Sequence, residues 1–243
     1  MQPVEIMRAT TAIGSIGAAF YFHPDTVTRG KEAGLDGFRF YVLGRGGVLG
    51  DVEPSVVHAA FGYFTPELID KMWTSASETM GPRDAARLYQ QCAHDLGRSR
   101  LDSVEGLDGF VDATSQIIGS VEGTSLPLFA GMRAEPVPSD APAAAMHQAM
   151  VLRELRGSVH LLALTATGLN SPIAHSIKRP ADVQLFGYQD APEPTDDDRA
   201  KWERAEGLTD ELLAPAYATL SEHQSEALVS GTQAIAAALG IDP

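Results

Sequence analysis

Residues Ala144–Leu164 read AAMHQAMVLRELRGSVHLLAL, an apolar stretch of helical character that contains His147, Arg153, Glu154, Arg156 and His160. Met146, Ala149, Met150, Val151, Leu152, Leu155 and Val159 leave no wide polar face, so the helix is expected to be enclosed by its neighbours. Its charges then turn inward, where an ionised group is costly unless paired. His147 and Glu154 share one stripe, and Arg153 and Arg156 fall on adjoining turns. Gly157-Ser158 reads as a stop and restart: the glycine closes one helix, the serine caps the next, and His160 sits in that second helix's first turn. Two accounts stand side by side: an ion pair that ties helices together, or a polar site in the core.

Outward from this stretch the chain reads as helix after helix. Toward the N-terminus, Glu5 to Phe22 suits one helix with small residues along it, and Pro24 opens another that Gly34 ends. Gly37 to Gly50, GFRFYVLGRGGVLG, carries Tyr41 and Arg45 and reads as a tightly packed helix corner or a ligand loop. Short helices follow from Glu53 to Phe61 and from Pro66 to Ala76, the second capped by Thr65, then longer ones from Pro82 and from Val104 to Val121. Gly123 to Pro142 holds four prolines and reads as a connector, with Leu126-Pro127-Leu128-Phe129 pinned to the core. Beyond the central stretch, Gly168 stops a helix and Asn170 or Ser171 caps a short one, Pro172 to Lys178, that contains His175. Arg179 to Asp198 reads as a surface loop, Thr195 caps the next helix, and Ser221 to Leu239 forms the last. No strand pattern of convincing length occurs. The expected class is predominantly all-α, with a helical domain over 1–122, a connector over 123–142 and a second helical domain over 143–243, or one continuous unit.

With 18 basic against 32 acidic residues the formal net charge is −14, so the chain repels phosphate backbones and nucleic acid is an unlikely partner. No apolar run approaches the length of a membrane span and the N-terminus lacks the layout of a secretory signal, so no membrane partner and a cytoplasmic location are expected. Cys92 is the only cysteine, which excludes an internal disulfide. His23, His94 and His223 read as exposed.

Several segments carry a resemblance: YFHPD, GLDGFRFYVLGRGGVLG, VVHAAFGYFTPELIDKMW, PLFAGMRAEP, MHQAMVLRELRGSVHLLALTATGL and IAHSI. In this order they resemble an actinobacterial family labelled helix-turn-helix proteins of largely unknown function. Its most specific element, R-E-H-R-G-x-x-H, is matched by Arg153, Glu154, Arg156, Gly157 and His160, with Leu155 in place of the usual histidine. The resemblance implies a winged-helix-like C-terminal half packed on the helical N-terminal half. In it, His160–Leu169 and Pro172–Lys178 form the turn, and Lys201–Thr209 keeps part of a wing pattern.

The function expected first is small-molecule binding, catalytic or not, in the helical core. Glu154, His160 and His147 are the acid–base candidates, and Arg153, Arg156, Tyr41, Arg45 and His175 the ligand-binding ones. His147, His160 and His175 are also the candidate metal ligands. No H-x-x-x-H or H-E-x-x-H spacing accompanies them, so no metal site is assigned and the cofactor stays unknown. Two alternatives come from other classes: a ligand-responsive transcriptional regulator, and a non-catalytic oligomerisation or scaffold protein that forms homo-oligomers.

Overall fold

Proline and capping side chains set the starts of most helices, and a computed structural model describes residues 1–190 and 192–242. The chain runs α1 (Pro3–Ala9), α2 (Ile13–Ile16), α3 (Pro24–Glu32), α4 (Gly37–Gly46), α5 (Pro54–Phe61), α6 (Pro66–Ser77) and α7 (Pro82–Arg100). It continues with α8 (Leu107–Ser120), α9 (Pro127–Arg133), α10 (Ala141–Thr167), α11 (Ser171–Lys178), α12 (Asp196–Tyr217) and α13 (Glu222–Leu239). The fold is all-α, with no strand among the described residues. Thr65, Asn170 and Thr195 accept from the first-turn amides of their helices, as the sequence predicts, and Ser221 does the same for the last.

Everything is built around α10. Its residues from Ala143 to Leu152 are buried without a break, and it packs on α12, α7, α8, α2 and α9. One apolar core extends from Ile6 through Met150 to Ile235 and Ala236. A smaller cluster under the end of α10 joins Leu164, Leu169, Ala174 and Ala205, with Trp202 and Tyr63 against it.

Four expectations are corrected. First, α10 does not stop at Gly157: it runs unbroken to Thr167, so Ser158 is no cap and His160 lies deep in the helix, not in a first turn. Packing on both flanks overrides the glycine's preference for an end. Second, Lys201–Thr209 lies inside α12, so it forms no wing. Third, Glu5–Phe22 is two short helices. Thr10 closes α1 and its hydroxyl donates back to the Ile6 carbonyl, while Gly17 lies so close to the Ala149 backbone that a Cβ there would collide. Fourth, the connector is not helix-free: it holds α9, although Leu128 and Phe129 are buried as the sequence predicts. Of the two forms the sequence allows, Gly37–Gly50 is the packed helical corner, a helix with a 3-10 turn at its end. A Cβ on Gly44 or Gly47 would run into Tyr89 or the Pro82 carbonyl, which is how α4 and α7 come so near.

Candidate functional site

Successive turns of α10 carry two polar clusters. The first centres on Glu154, which is 1% exposed. Its Oε1 accepts from the Tyr21 hydroxyl (2.8 Å) and Arg45 Nε (2.9 Å), and its Oε2 from Arg45 Nη2 (2.7 Å). Arg45 Nη1 also donates to the Tyr41 hydroxyl (3.1 Å), and its guanidinium lies 4.2 Å from the centre of the Phe61 ring. Burial alone would raise the Glu154 pKa, but the Arg45 charge and hydrogen bonds hold it below the ordinary carboxylate value. Glu154 is thus a fully committed anion, unsuited to the proton-shuttling role expected of it. Burial pushes the Tyr21 hydroxyl well up, so it stays protonated.

Arg153 completes this cluster from the side. Its Nε donates to the Tyr21 hydroxyl (3.0 Å), its Nη1 approaches the Gly14 carbonyl (3.4 Å), and its guanidinium sits 5.0 Å from the Tyr21 ring centre. Arg45 therefore pairs with Glu154 directly, and Arg153 is linked to it only through the Tyr21 hydroxyl.

The second cluster lies one turn on. Arg156 Nη2 donates to Glu206 Oε2 (2.7 Å), and His160 Nδ1 lies 3.0 Å from the Thr209 hydroxyl. His160 Nε2 is 3.6 Å from Glu206 Oε1 and Lys178 Nζ is 4.0 Å from that same oxygen. Burial lowers His160 to about 4 against the opposing pull of Glu206. The imidazole is therefore neutral near pH 7.

Between the clusters opens a cleft of about 970 Å³ lined on the α10 side by Leu152, Arg153, Arg156 and Gly157. Tyr21, Tyr41, Phe38, Phe64 and Phe186 supply aromatic wall, and Arg8, Lys178, Arg179, Asp182, Glu206 and Asp210 supply charge. Arg153 and Arg156 thus stand beside a hollow, whereas Glu154 is locked away from it.

The expected site is only partly assembled. Glu154, Arg153, Arg45 and Tyr41 come together, and Arg156 and His160 form the neighbouring cluster. His147 does not join either: its Nδ1 lies 3.2 Å from His94 Nε2, and burial lowers both rings to about 4. His94 is thereby corrected from exposed to half-buried. His175 is buried elsewhere, with its ring centre 4.0 Å from that of Phe186. His147, His160 and His175 do not converge, and no group of three or more His, Cys, Asp or Glu able to hold a metal occurs among the described residues. Sequence reading missed Tyr21, Glu206 and Thr209. Only the arginine count on α10, which demands acidic or polar partners, pointed to groups of this kind.

A family model described as a helix-turn-helix family matches residues 6–189. The chain belongs to the helix-turn-helix family. No curated protein and no solved structure matches it. The end of α10 and α11 form a helix–turn–helix pair joined through Gly168 in the left-handed conformation, Leu169 and Asn170. Helix-turn-helix proteins usually bind nucleic acid, and family membership weighs against the expectation that nucleic acid is an unlikely partner. No helix of the described residues is long and apolar enough to cross a membrane.

Proposed function

We propose that this chain is a small-molecule-binding protein that takes an amphipathic anion, a carboxylate on an apolar body, in the cleft beside α10. The observation that carries this reading is Arg153. It lines the cleft, its only protein acceptors among the described residues are the Tyr21 hydroxyl and the Gly14 carbonyl, and the one carboxylate of its cluster is taken up by Arg45. A guanidinium left with free N–H groups at the edge of an apolar hollow suits a carboxylate.

Charge and apolar surface support the same reading. The cleft is lined by five Arg or Lys side chains against three acidic ones, in a chain whose formal net charge is −14. A local positive field of this sign concentrates small anions. Near it, Phe22 (52% exposed) and Leu185 (62% exposed) offer apolar surface at the entrance.

Titration calorimetry with octanoate tests the reading. Octanoate binds the parent protein, and Arg153→Gln weakens it about tenfold or more, the loss of a charge-assisted hydrogen bond, with helicity unchanged by circular dichroism. Equal affinity of parent and variant, or no binding to the parent, overturns it.

Family membership favours a second reading, a ligand-responsive transcriptional regulator. Burial of Ala174, His175 and Ser176 in α11 weighs against base reading by that helix, as does the acidic charge. A gel-shift against genomic fragments at low salt decides it: no retardation at micromolar protein removes this reading.

A further inference from the structure

Glu206 and His160 face each other across 3.6 Å without a hydrogen bond. Thr209 fixes which nitrogen of His160 carries the proton. The Thr209 hydroxyl donates its one proton to the Ala205 carbonyl (2.7 Å), so toward His160 Nδ1 it can only accept. The ring is therefore protonated on Nδ1, and Nε2 presents a lone pair. That atom is buried without a partner, in a residue only 4% exposed, and so is Glu206 Oε1 opposite it. Two unpartnered acceptors 3.6 Å apart are a costly arrangement, and a donor that reaches either atom lowers that cost.

Burial keeps His160 from supplying that donor as an imidazolium. Lys178 Nζ, at 4.0 Å from Oε1, stands beyond hydrogen-bond distance on a half-exposed side chain that lines the cleft and rests over the Trp202 ring. Glu206 lines the cleft beside Lys178, so rotation of the lysine side chain would open Oε1 toward it, with Nε2 of His160 3.6 Å behind. A cationic donor would be repelled there by Arg156 and Lys178. A neutral hydroxyl meets no such penalty: it donates to Oε1 or Nε2, and its oxygen accepts from the Lys178 ammonium.

We infer that His160 Nε2 and Glu206 Oε1 form a hydroxyl-binding subsite, so that the ligand of the cleft is a hydroxylated amphipathic carboxylic acid. The inference rests on the proposed anion-binding reading for the carboxylate, but the hydroxyl subsite stands on its own atoms. Arg153 and His160 are seven residues apart on α10, about two helical turns or roughly 10 Å along its axis. The hydroxyl therefore lies well along the apolar body from the carboxylate.

Two single-function probes, 1-octanol and octanoate, separate the poles by calorimetry on the full chain. His160→Phe and Glu206→Gln each weaken 1-octanol about fivefold or more and do not weaken octanoate, whereas Arg153→Gln weakens octanoate and spares 1-octanol. In histidine-labelled parent protein, the His160 Nε2 resonance shifts with 1-octanol and holds still with octanoate. Failure of 1-octanol to bind, or its binding alike to the parent, His160→Phe and Glu206→Gln, overturns the hydroxyl subsite. If both variants unfold, the parent resonance decides alone, and an unmoved Nε2 signal overturns it. Octanoate binding that ignores Arg153 overturns the anion reading and leaves the hydroxyl subsite to the 1-octanol result.

Discussion

Glu154 and Glu206 both take an arginine at 2.7 Å, yet their second oxygens differ. Glu154 Oε1 accepts from both Tyr21 and Arg45, while Glu206 Oε1 has no partner. The first carboxylate is 2% exposed and the second 30%. The difference teaches that charge inside a helical core can join helices with both carboxylate oxygens engaged, or can leave one oxygen open. The open one is where we propose that a ligand is recognised.

The largest expected effect is at the filled cluster. Glu154→Ala strands Arg45 and Arg153 beside each other and should cost about 3–5 kcal/mol, read from urea unfolding. Gly47→Ala comes next: a Cβ there meets the Pro82 carbonyl, a contact no rotamer relieves, and overpacking of this kind costs about 1–3 kcal/mol. Tyr21→Phe removes one donor to Glu154 and one acceptor from Arg153, a loss of about 1–2 kcal/mol. Smallest is Glu206→Gln, which at a part-exposed pair should change stability by less than about 1 kcal/mol. A large loss at Glu206 with little at Glu154 would reverse the contrast.

Acid sharpens it further. His147 and His160 are held near 4, below the unfolded value of about 6.5, so the native state binds fewer protons than the unfolded chain in between. Their contribution is full above about pH 6.5 and is lost as pH falls toward 4, by at most about 1.4 kcal/mol per pH unit for each histidine. Glu154, whose pKa is depressed, keeps its contribution through this window and loses it only below the ordinary carboxylate range. His147→Leu should flatten the loss between pH 6.5 and 4.5, as measured by the urea midpoint at each pH.

Helix starts and the burial of α10 were legible because their causes are local: a proline, a capping oxygen, an apolar period. The clusters were half legible. Arg153, Glu154, Arg156 and His160 announce themselves as charge in an oily stretch, but their partners are remote in sequence: Glu154 meets Arg45 across 109 positions and Tyr21 across 133. His147 illustrates the opposite failure. It shares a stripe with Glu154, yet α7 lies on that side with His94, so the histidine pairs there instead. Gly157 misled for a third reason, because a glycine that ends helices in isolation can be carried through one when neighbours pack on both sides.

That glycine has a further consequence. In mid-helix it sacrifices about 1 kcal/mol relative to alanine, and a Cβ built there would touch nothing within 4 Å. The scaffold does not ask for it. Gly157 lines the hollow, so a side chain at this position would take volume from it at no cost to the packing around it.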